Sequence, residues 1–239
     1  MHKQPIDRNI QLDANQQGFV LIQSLIPSEY IQYLIGQIEL LKEKRKDLVS
    51  SSQGIRDLLD QIPPIRDLAN SALLMPIVQS VLGGEAQVVR GLLFDKTPDA
   101  NWKVPWHQDL TIAVRQKIEC SGYNAWSIKA NIPHVQPPLE ILEQMLTVRI
   151  HLDPADETNG ALSVIPRSHQ LGRIPQSDIS KTMMQQSRVS CNVRAGDVLI
   201  MFPLLLHASS LATYPKHRRV IHLEYCSAQL NPCLTWYES

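Results

Sequence analysis

The sequence lacks several features that would assign it to a membrane, export or nucleic-acid-binding class. It contains no run of about 18 apolar residues, the minimum for a membrane-spanning helix. Segment 1–8 lacks the apolar core of a signal peptide. Lysine plus arginine and aspartate plus glutamate both total 23, so the net charge is zero and gives no overall field for nucleic acid or an anionic membrane. We therefore expect a cytoplasmic protein with neither of these partners.

Cysteine is scarce and shows no metal-binding or redox spacing. The four cysteines stand at positions 120, 191, 226 and 233, and none of them forms a CxxC pair. Because we expect a cytoplasmic chain, we predict free thiols rather than disulfides or zinc ligands.

Apolar residues make up 44% of the 239 residues, enough for one domain spanning 1–239. The first 84 residues predict mainly helical support around one short strand at 18–22. A helix is expected from Ser28, a suitable N-cap, to the charged run at 42–47. A loop at 50–54 and two shorter helices around 55–61 and 64–82 follow, the last ending at Gly83.

After Gly84 the pattern changes to short β-rich runs separated by turn residues. This predicts a mainly β fold in segment 85–239, a double-stranded β-helix (jelly roll, cupin-like) braced by the helices. Segment 111–144 has no clean periodicity, and we expect it to be a lid-like insertion whose Trp126 and His134 contact substrate. The predicted strands are 86–96, 104–110, 145–152, 161–165, 189–193, 197–202, 205–209 and 218–226.

Three histidines are each followed two residues later by an acid, a spacing that places both side chains on one face of a strand. The pairs are His107/Asp109, His151/Asp153 and His222/Glu224. A third ligand must come from a strand that returns beside the first, and only His107/Asp109 leaves room for several strands before His207. The other two pairs are better explained as a polar residue on a half-buried strand and an acid paired with a nearby arginine.

Two imidazoles and one carboxylate form a ligand set suited to iron(II), with three positions left open for co-substrate and oxygen. A structural zinc site would need four ligands, usually including cysteine. No cysteine lies near His107 or His207 in the sequence. This predicts a non-haem iron centre.

A 2-oxoacid co-substrate needs a cation for its far carboxylate, and arginine matches that group geometrically. Arg218 and Arg219 are adjacent, so only one can point inward from a strand. Arg219 shares its face with the apolar residues, and pattern alone favours Arg219 as the inward one. On strand 145–152, Thr147 and Arg149 share a polar face with His151, and we favour an active-site wall over a solvent-exposed face.

At this point the sequence resembles the phytanoyl-CoA dioxygenase family of iron(II)- and 2-oxoglutarate-dependent oxygenases. The resemblance covers most of the chain and is carried by an ordered series of motifs: 93–96 (LFDK), 106–109 (WHQD), 149–153 (RIHLD), 159–169 (NGALSVIPRSH), 195–198 (AGDV), 207–209 (HAS) and 218–219 (RR).

The resemblance implies iron ligation by His107, Asp109 and His207. It also assigns the co-substrate arginine to Arg218, eleven residues after His207, against the preference from strand pattern. Ser209 matches a 2-oxoglutarate contact.

Further co-substrate contacts follow less directly from the family pattern. Leu92 falls where members place an apolar contact to 2-oxoglutarate. Arg149 departs from the pattern, because some members carry a tryptophan there that touches 2-oxoglutarate. Arg56 is a candidate for a basic co-substrate contact that some relatives place before the sheet.

The resemblance also implies the reaction class. Fe(II), 2-oxoglutarate and O2 would together hydroxylate an unactivated carbon of a small metabolite or natural-product intermediate. Asp109 occupies the position where halogenases of similar fold have a small residue, so hydroxylation is favoured over halogenation. A cupin-like metal enzyme without 2-oxoglutarate and a non-catalytic binding module are the alternatives. No cluster of basic residues in the sequence marks a coenzyme A pyrophosphate site.

Overall fold

The computed structural model describes residues 8–44 and 54–238. The predicted loop at 50–54 lies outside these residues except for Gly54. Helices are α1 Arg8–Gln17, α2 Ser28–Lys44, α3 Leu58–Gln61, α4 Pro63–Ala69, α5 Met75–Leu82, α6 Leu139–Glu143 and α7 Ile179–Gln185. Strands are β1 Phe19–Ile22, β2 Gln87–Lys96, β3 Val104–His107, β4 Ile112–Ala113, β5 Asn124–Lys129, β6 Ile132–Gln136, β7 Met145–His151, β8 Leu162–Val164, β9 Val189–Cys191, β10 Val198–Met201, β11 His207–Ser209 and β12 Arg218–Cys226.

The N-terminal helices form a layer whose apolar side faces the sheet. Helix α2 buries Ile31, Leu34 and Ile38, which recur at helical spacing. Helix α5 ends at Gly83, whose φ of 75° is the left-handed conformation that favours glycine at a helix end. Helix α1 was not predicted, because its sequence is mostly polar and buries Ala14 as its one fully enclosed side chain.

The jelly-roll prediction is confirmed by two antiparallel sheets that pack face to face. The larger sheet has the order β1-β10-β7-β12-β2 and the smaller β3-β11-β8-β9. One side of the larger sheet packs on the helices through Leu146, Val148, Ile221 and Leu223. Its other side faces the smaller sheet, where Leu199 and Met201 meet Leu162 and Val164. The candidate site lies between the two sheets and takes side chains from both.

Segment 111–144 contains more regular structure than its sequence indicated. It forms a three-stranded sheet in the order β4-β6-β5, followed by α6. Its strands are only 2 to 6 residues long, too short to show a period. Residues Ala130 and Asn131, both with positive φ, make the two-residue turn between β5 and β6. We call segment 111–144 the lid.

The lid is tied to the C-terminal tail, and this corrects the prediction of four free thiols. A disulfide joins Cys120 of the lid to Cys233, while Cys191 and Cys226 are free and buried. A bridge between Val114 and Trp236 brings the two segments together. The cysteines are 113 positions apart in sequence, so only the tertiary fold reveals their proximity.

Within the described residues, every helix is too short or too polar to cross a bilayer.

Candidate active site

Two neighbouring strands of the smaller sheet bring the predicted iron ligands together. His107 at the end of β3 lies directly opposite His207 at the start of β11. Asp109 follows two residues later, fixed by its backbone N–H, which donates to the carbonyl of Pro203 at 2.9 Å. One ligand atom from each of the three side chains lies within 4.8 Å of the other two. No second group of this kind occurs in residues 8–44 and 54–238.

Hydrogen bonds fix which ring nitrogen of each histidine faces the cluster. Nδ1 of His107 donates to the carbonyl of Pro105, and Nδ1 of His207 to that of Leu205, both at 2.8 Å. A carbonyl can only accept, so each Nδ1 carries a proton, and in the neutral ring Nε2 has the lone pair that can bind a metal. The two Nε2 atoms lie 3.5 and 3.6 Å from the Asp109 carboxylate. Three donor atoms therefore converge on one point, as a metal site requires.

The electrostatics suit a cation between these groups. Burial alone would raise the pKa of Asp109, but its interactions with the His207 and His107 rings outweigh burial and hold that pKa well below its ordinary range. Burial lowers the pKa of His207 to about 4. The carboxylate is therefore ionised and the His207 imidazole neutral at neutral pH, the forms that bind a metal.

The two competing histidine–acid pairs are engaged elsewhere. Asp153 holds the Arg219 guanidinium at 2.8 and 2.9 Å. Glu224 accepts from Arg90 at 3.0 Å, which confirms the reading of this acid as the partner of an arginine. His222 accepts from Arg149 at 2.9 Å and lies 3.5 Å from Glu224. The pair chosen from order along the chain is the one that lies in the candidate metal cluster of the described residues.

Three buried cations, Lys96, Arg149 and Arg218, lie beside the triad, and we call this group the cradle. Arg218 is 3% exposed and Lys96 fully buried. Lys96 donates to the Ser209 hydroxyl at 2.8 Å and to the Ser210 carbonyl at 2.6 Å. Arg218 donates to the same hydroxyl at 3.4 Å and to the carbonyl of Gly160. Both cations thus meet at Ser209, two residues beyond His207.

The cradle has an excess of positive charge that calls for an anion. None of Lys96, Arg149 and Arg218 pairs with a carboxylate within the described part of the chain. Burial lowers their pKa values to about 7, 10 and 9 respectively. The Nε atoms of both arginines are buried without a hydrogen-bond partner in that same part. Unpaired buried cations are costly, so a dicarboxylate such as 2-oxoglutarate fits this pocket.

The preference of strand pattern for an inward Arg219 is wrong. Arg219 lies on the helix-facing side of β12, bound to Asp153 and to Glu39 of α2. The apolar residues beside it face the helical layer, while Arg218 faces the space between the sheets. Both sides of β12 are buried, so an apolar face did not identify the site-facing side.

The polar face of β7 is buried, as the wall interpretation expected, rather than open to solvent. Thr147, Arg149 and His151 are 2, 5 and 1% exposed. Both ring nitrogens of His151 lack a partner among the described residues. Burial and the charges of Arg149 and Arg218 hold the pKa of His151 well below its ordinary value. His151 therefore belongs to the cradle as a neutral group.

Other residues singled out in the sequence fall in different places. Leu92 is buried opposite His222 of β12, and His222 in turn pairs with Arg149 of β7. Arg56 follows Ile55, which pairs antiparallel with Leu93, so it lies toward the Arg90 end of β2 rather than toward Lys96 and the cradle. Its proposed role in binding 2-oxoglutarate is therefore not supported by its position.

In the lid, Trp126 packs against the apolar cluster under Lys117. His134 is fully buried, and both its ring nitrogens are engaged, by Arg90 and by the carbonyl of Ile132. Neither ring nitrogen of His134 is left for a substrate.

Sequence reasoning assigned no role to Lys96. Alternation along β2 places it on the same side as Leu92 and Phe94, and the register places it opposite Arg218. This alternation along β2 was the sequence feature from which the position of Lys96 could have been inferred. A small cavity adjoins the triad, lined by Asp109, Thr111, Leu142, Met145, Thr147, Pro203 and Glu224.

Comparison with known proteins agrees with this geometry. No curated protein sequence matches the chain. AviO1 from Streptomyces viridochromogenes Tue57 is 21% identical, with a TM-score of 0.70 over 96% of this chain and 99% of that one. SnoK, a non-haem α-ketoglutarate-dependent carbocyclase from nogalamycin biosynthesis, is 18% identical, with a TM-score of 0.74 over 98% and 87%.

EctD from S. alaskensis, solved with 2-oxoglutarate and 5-hydroxyectoine, is 18% identical, with a TM-score of 0.73 over 95% of this chain and 78% of that one. These structures share the fold. The family model "Phytanoyl-CoA dioxygenase (PhyH)" matches residues 14–220, a span that contains the triad, Lys96 and Arg218. The chain therefore belongs to the phytanoyl-CoA dioxygenase family of iron(II)- and 2-oxoglutarate-dependent oxygenases.

Proposed function

We propose that the protein hydroxylates an aliphatic carbon of a small metabolite or natural-product intermediate, using iron(II), 2-oxoglutarate and O2. The observation that carries this proposal is the position of the acid-free cation cradle directly beside the histidine–carboxylate triad. The triad accounts for a metal, and the cradle accounts for a dianion bound within reach of it. Family membership supports the same pairing.

His107, Asp109 and His207 would hold the iron, through the two Nε2 atoms and the carboxylate. Bound iron with 2-oxoglutarate and O2 supplies the oxidising power for hydrogen abstraction, while the protein supplies binding and orientation. The side chains of His107 and Asp109 are both 33% exposed, whereas that of His207 is 5% exposed. The accessible side of the triad is therefore the His107–Asp109 side, where we place the substrate.

The cradle residues would bind and orient the co-substrate. Arg218 and Lys96 would take its far carboxylate, with the Ser209 hydroxyl between them. Arg149, held by His222, would add positive charge on the triad side. Leu92 and Phe94, on the same face of β2, would exclude water from the carbon chain of 2-oxoglutarate between its two ends.

Asp109 also bears on the reaction outcome. Its carboxylate occupies one of the three protein ligand positions, so no protein position is left vacant for a halide. This supports hydroxylation over halogenation. A metal enzyme that does not use 2-oxoglutarate would not require a cradle of three cations that have no acidic partner.

Succinate formation tests the proposal directly. We expect the iron(II)-loaded protein to convert 2-oxoglutarate to succinate under air, with His107→Ala and Asp109→Ala reducing the rate at least 100-fold. Asp178→Ala, which removes an exposed acid outside the cluster, is the matched control and should retain the wild-type rate. Full turnover by either triad variant would exclude the assignment, and tight binding without turnover by the wild type would favour a binding module.

A further inference from the structure

A second group of charged residues lies on the lid side of the triad, apart from the cradle. Arg90 of β2 is 6% exposed and donates to Glu224 at 3.0 Å. It also donates to Nε2 of His134 at 2.8 Å. Glu224 in turn lines the cavity that contains Asp109. Arg90 therefore links His134 in strand β6 of the lid to Glu224 in the wall of the active site.

The charge of Arg90 is satisfied within this group. Nδ1 of His134 donates to the carbonyl of Ile132, so its Nε2 accepts from Arg90 and the ring is neutral. Burial and the charge of Arg90 lower the pKa of His134 to about 4, which keeps it neutral at physiological pH. Glu224 carries the one negative charge of the group, and Arg90 neutralises it.

Two further cations reach the same place from other parts of the chain. Arg56 follows Ile55, which bridges to Leu93 of β2, and so lies along the strand that carries Arg90. Lys129 is the last residue of β5, whose Ser127 is paired with His134 in the lid sheet. Partial desolvation and then the charges of Arg90 and Arg56 lower the pKa of Lys129, whereas the charges of Asp109 and Glu224 raise it. The strand pairing and the Arg90–His134 hydrogen bond thus place Arg56 and Lys129 near Arg90, on the lid side of the triad.

Arg56 and Lys129 have no ion-pair partner in the part of the chain that the structure describes. The acids that act on Lys129 are Glu224 and Asp109; Glu224 is paired with Arg90 and Asp109 belongs to the triad, so Arg56 and Lys129 keep an excess of positive charge. Arg56 is half-buried and Lys129 exposed, so both can reach a bound molecule. Two like charges held together in this way repel each other unless an anion lies between them.

We propose that the substrate carries an anionic group, a carboxylate or a phosphate, that binds between Arg56 and Lys129 next to the iron triad. This inference rests on the proposed function, since it concerns the substrate of the same site. Arg90, already saturated by Glu224 and His134, holds the lid against the sheet and adds to the field. His134 acts as a positioning residue for Arg90.

This placement explains how the lid takes part in recognition. Lys129 directly precedes the two-residue turn between β5 and β6, and Arg56 lies just before helix α3. An anion that binds both side chains would connect the lid to the body of the protein over the triad. This site was not predicted from the sequence, because its three cations come from positions 56, 90 and 129 rather than from one run.

Anion titration tests the proposal on the full chain. Protein loaded with Mn(II) and saturated with 2-oxoglutarate, so that the cradle is occupied, is titrated calorimetrically with sulfate and with acetate at constant ionic strength. We expect at least one anion to bind, with affinity reduced about tenfold or more by Arg56→Met and by Lys129→Met. Lys181→Met removes an exposed lysine of α7 and should leave the affinity within about twofold. Sulfate binding indicates a phosphate-like group and acetate binding a carboxylate.

The outcomes separate this inference from the proposed function. If 2-oxoglutarate itself does not bind, the proposed function fails, and the two variants still report whether the lid-side anion site exists. Absence of anion binding, or binding that only Arg218→Met removes, would overturn the inference. Once a substrate is found, Lys129→Met should raise its KM about tenfold with little change in kcat. A neutral substrate with unchanged KM in both variants would contradict it.

Discussion

Lys96 is a buried cation whose protonation state we expect to change when 2-oxoglutarate binds. Its ammonium group is fully enclosed, and burial together with the charges of Arg218 and Arg149 lowers its pKa to about 7. Near neutral pH a substantial fraction of Lys96 is therefore uncharged without a ligand. A bound dicarboxylate favours the charged form and raises that pKa again.

We therefore expect 2-oxoglutarate binding to take up a proton above about pH 7. Calorimetric titration at pH 8 in two buffers with different ionisation enthalpies should give different apparent binding enthalpies, and the difference should vanish below about pH 6, where Lys96 is already protonated. Lys96→Met should abolish the buffer dependence and weaken binding about tenfold or more. Equal enthalpies in both buffers at pH 8 would count against this role of Lys96.

Arg218 and Arg219 provide a second prediction at the residue scale. Arg218→Met should weaken 2-oxoglutarate binding at least tenfold while leaving stability nearly unchanged, because it removes an unpaired buried cation. Arg219→Met should leave 2-oxoglutarate affinity unchanged but lower the free energy of unfolding by about 2–4 kcal/mol, because Asp153 then loses its bidentate partner. Urea unfolding and calorimetry measure the two effects, and a reversal of the pattern would refute the face assignment.

At the scale of elements, β12 explains why alternation is only half informative. Period-two spacing grouped Arg218 with His222 and Glu224, and the structure keeps that group together. It could not say which face was functional, since β12 is covered by helices on one side and by the smaller sheet on the other. Family resemblance supplied the missing choice. From the sequence alone, the charged residues on the functional face could be identified only as polar positions, because their contacts were not known.

The lid and the C-terminal tail form one unit through the Cys120–Cys233 disulfide. A disulfide typically stabilises a protein by about 2–4 kcal/mol, mainly by restricting the unfolded chain. Cys120→Ser, Cys233→Ser and the double variant should therefore lose the same amount of stability. Reductant should lower wild-type stability to that level and leave the double variant unchanged. Wild-type unfolding insensitive to reductant would show that the bond does not contribute.

At the scale of the whole molecule, the sequence predicted the order of helical layer and jelly roll and the three converging ligands. Those features depend on local periodicity and on the spacing of His107, Asp109 and His207 along the chain. It missed helix α1, whose polar sequence has little period, and the lid sheet, whose strands are short. It also missed the disulfide and the group of Arg56, Arg90 and Lys129, because both arise from contacts between distant segments.

The central claim is that the triad and the cradle form one iron and 2-oxoglutarate site. Anomalous diffraction at the iron edge, from crystals grown anaerobically with iron(II) and 2-oxoglutarate, tests it most directly. The expected result is one iron peak between Nε2 of His107, Nε2 of His207 and the Asp109 carboxylate, with the far carboxylate of 2-oxoglutarate against Arg218 and Lys96. An iron peak at His222 and Glu224, or 2-oxoglutarate bound away from Arg218, would contradict the claim.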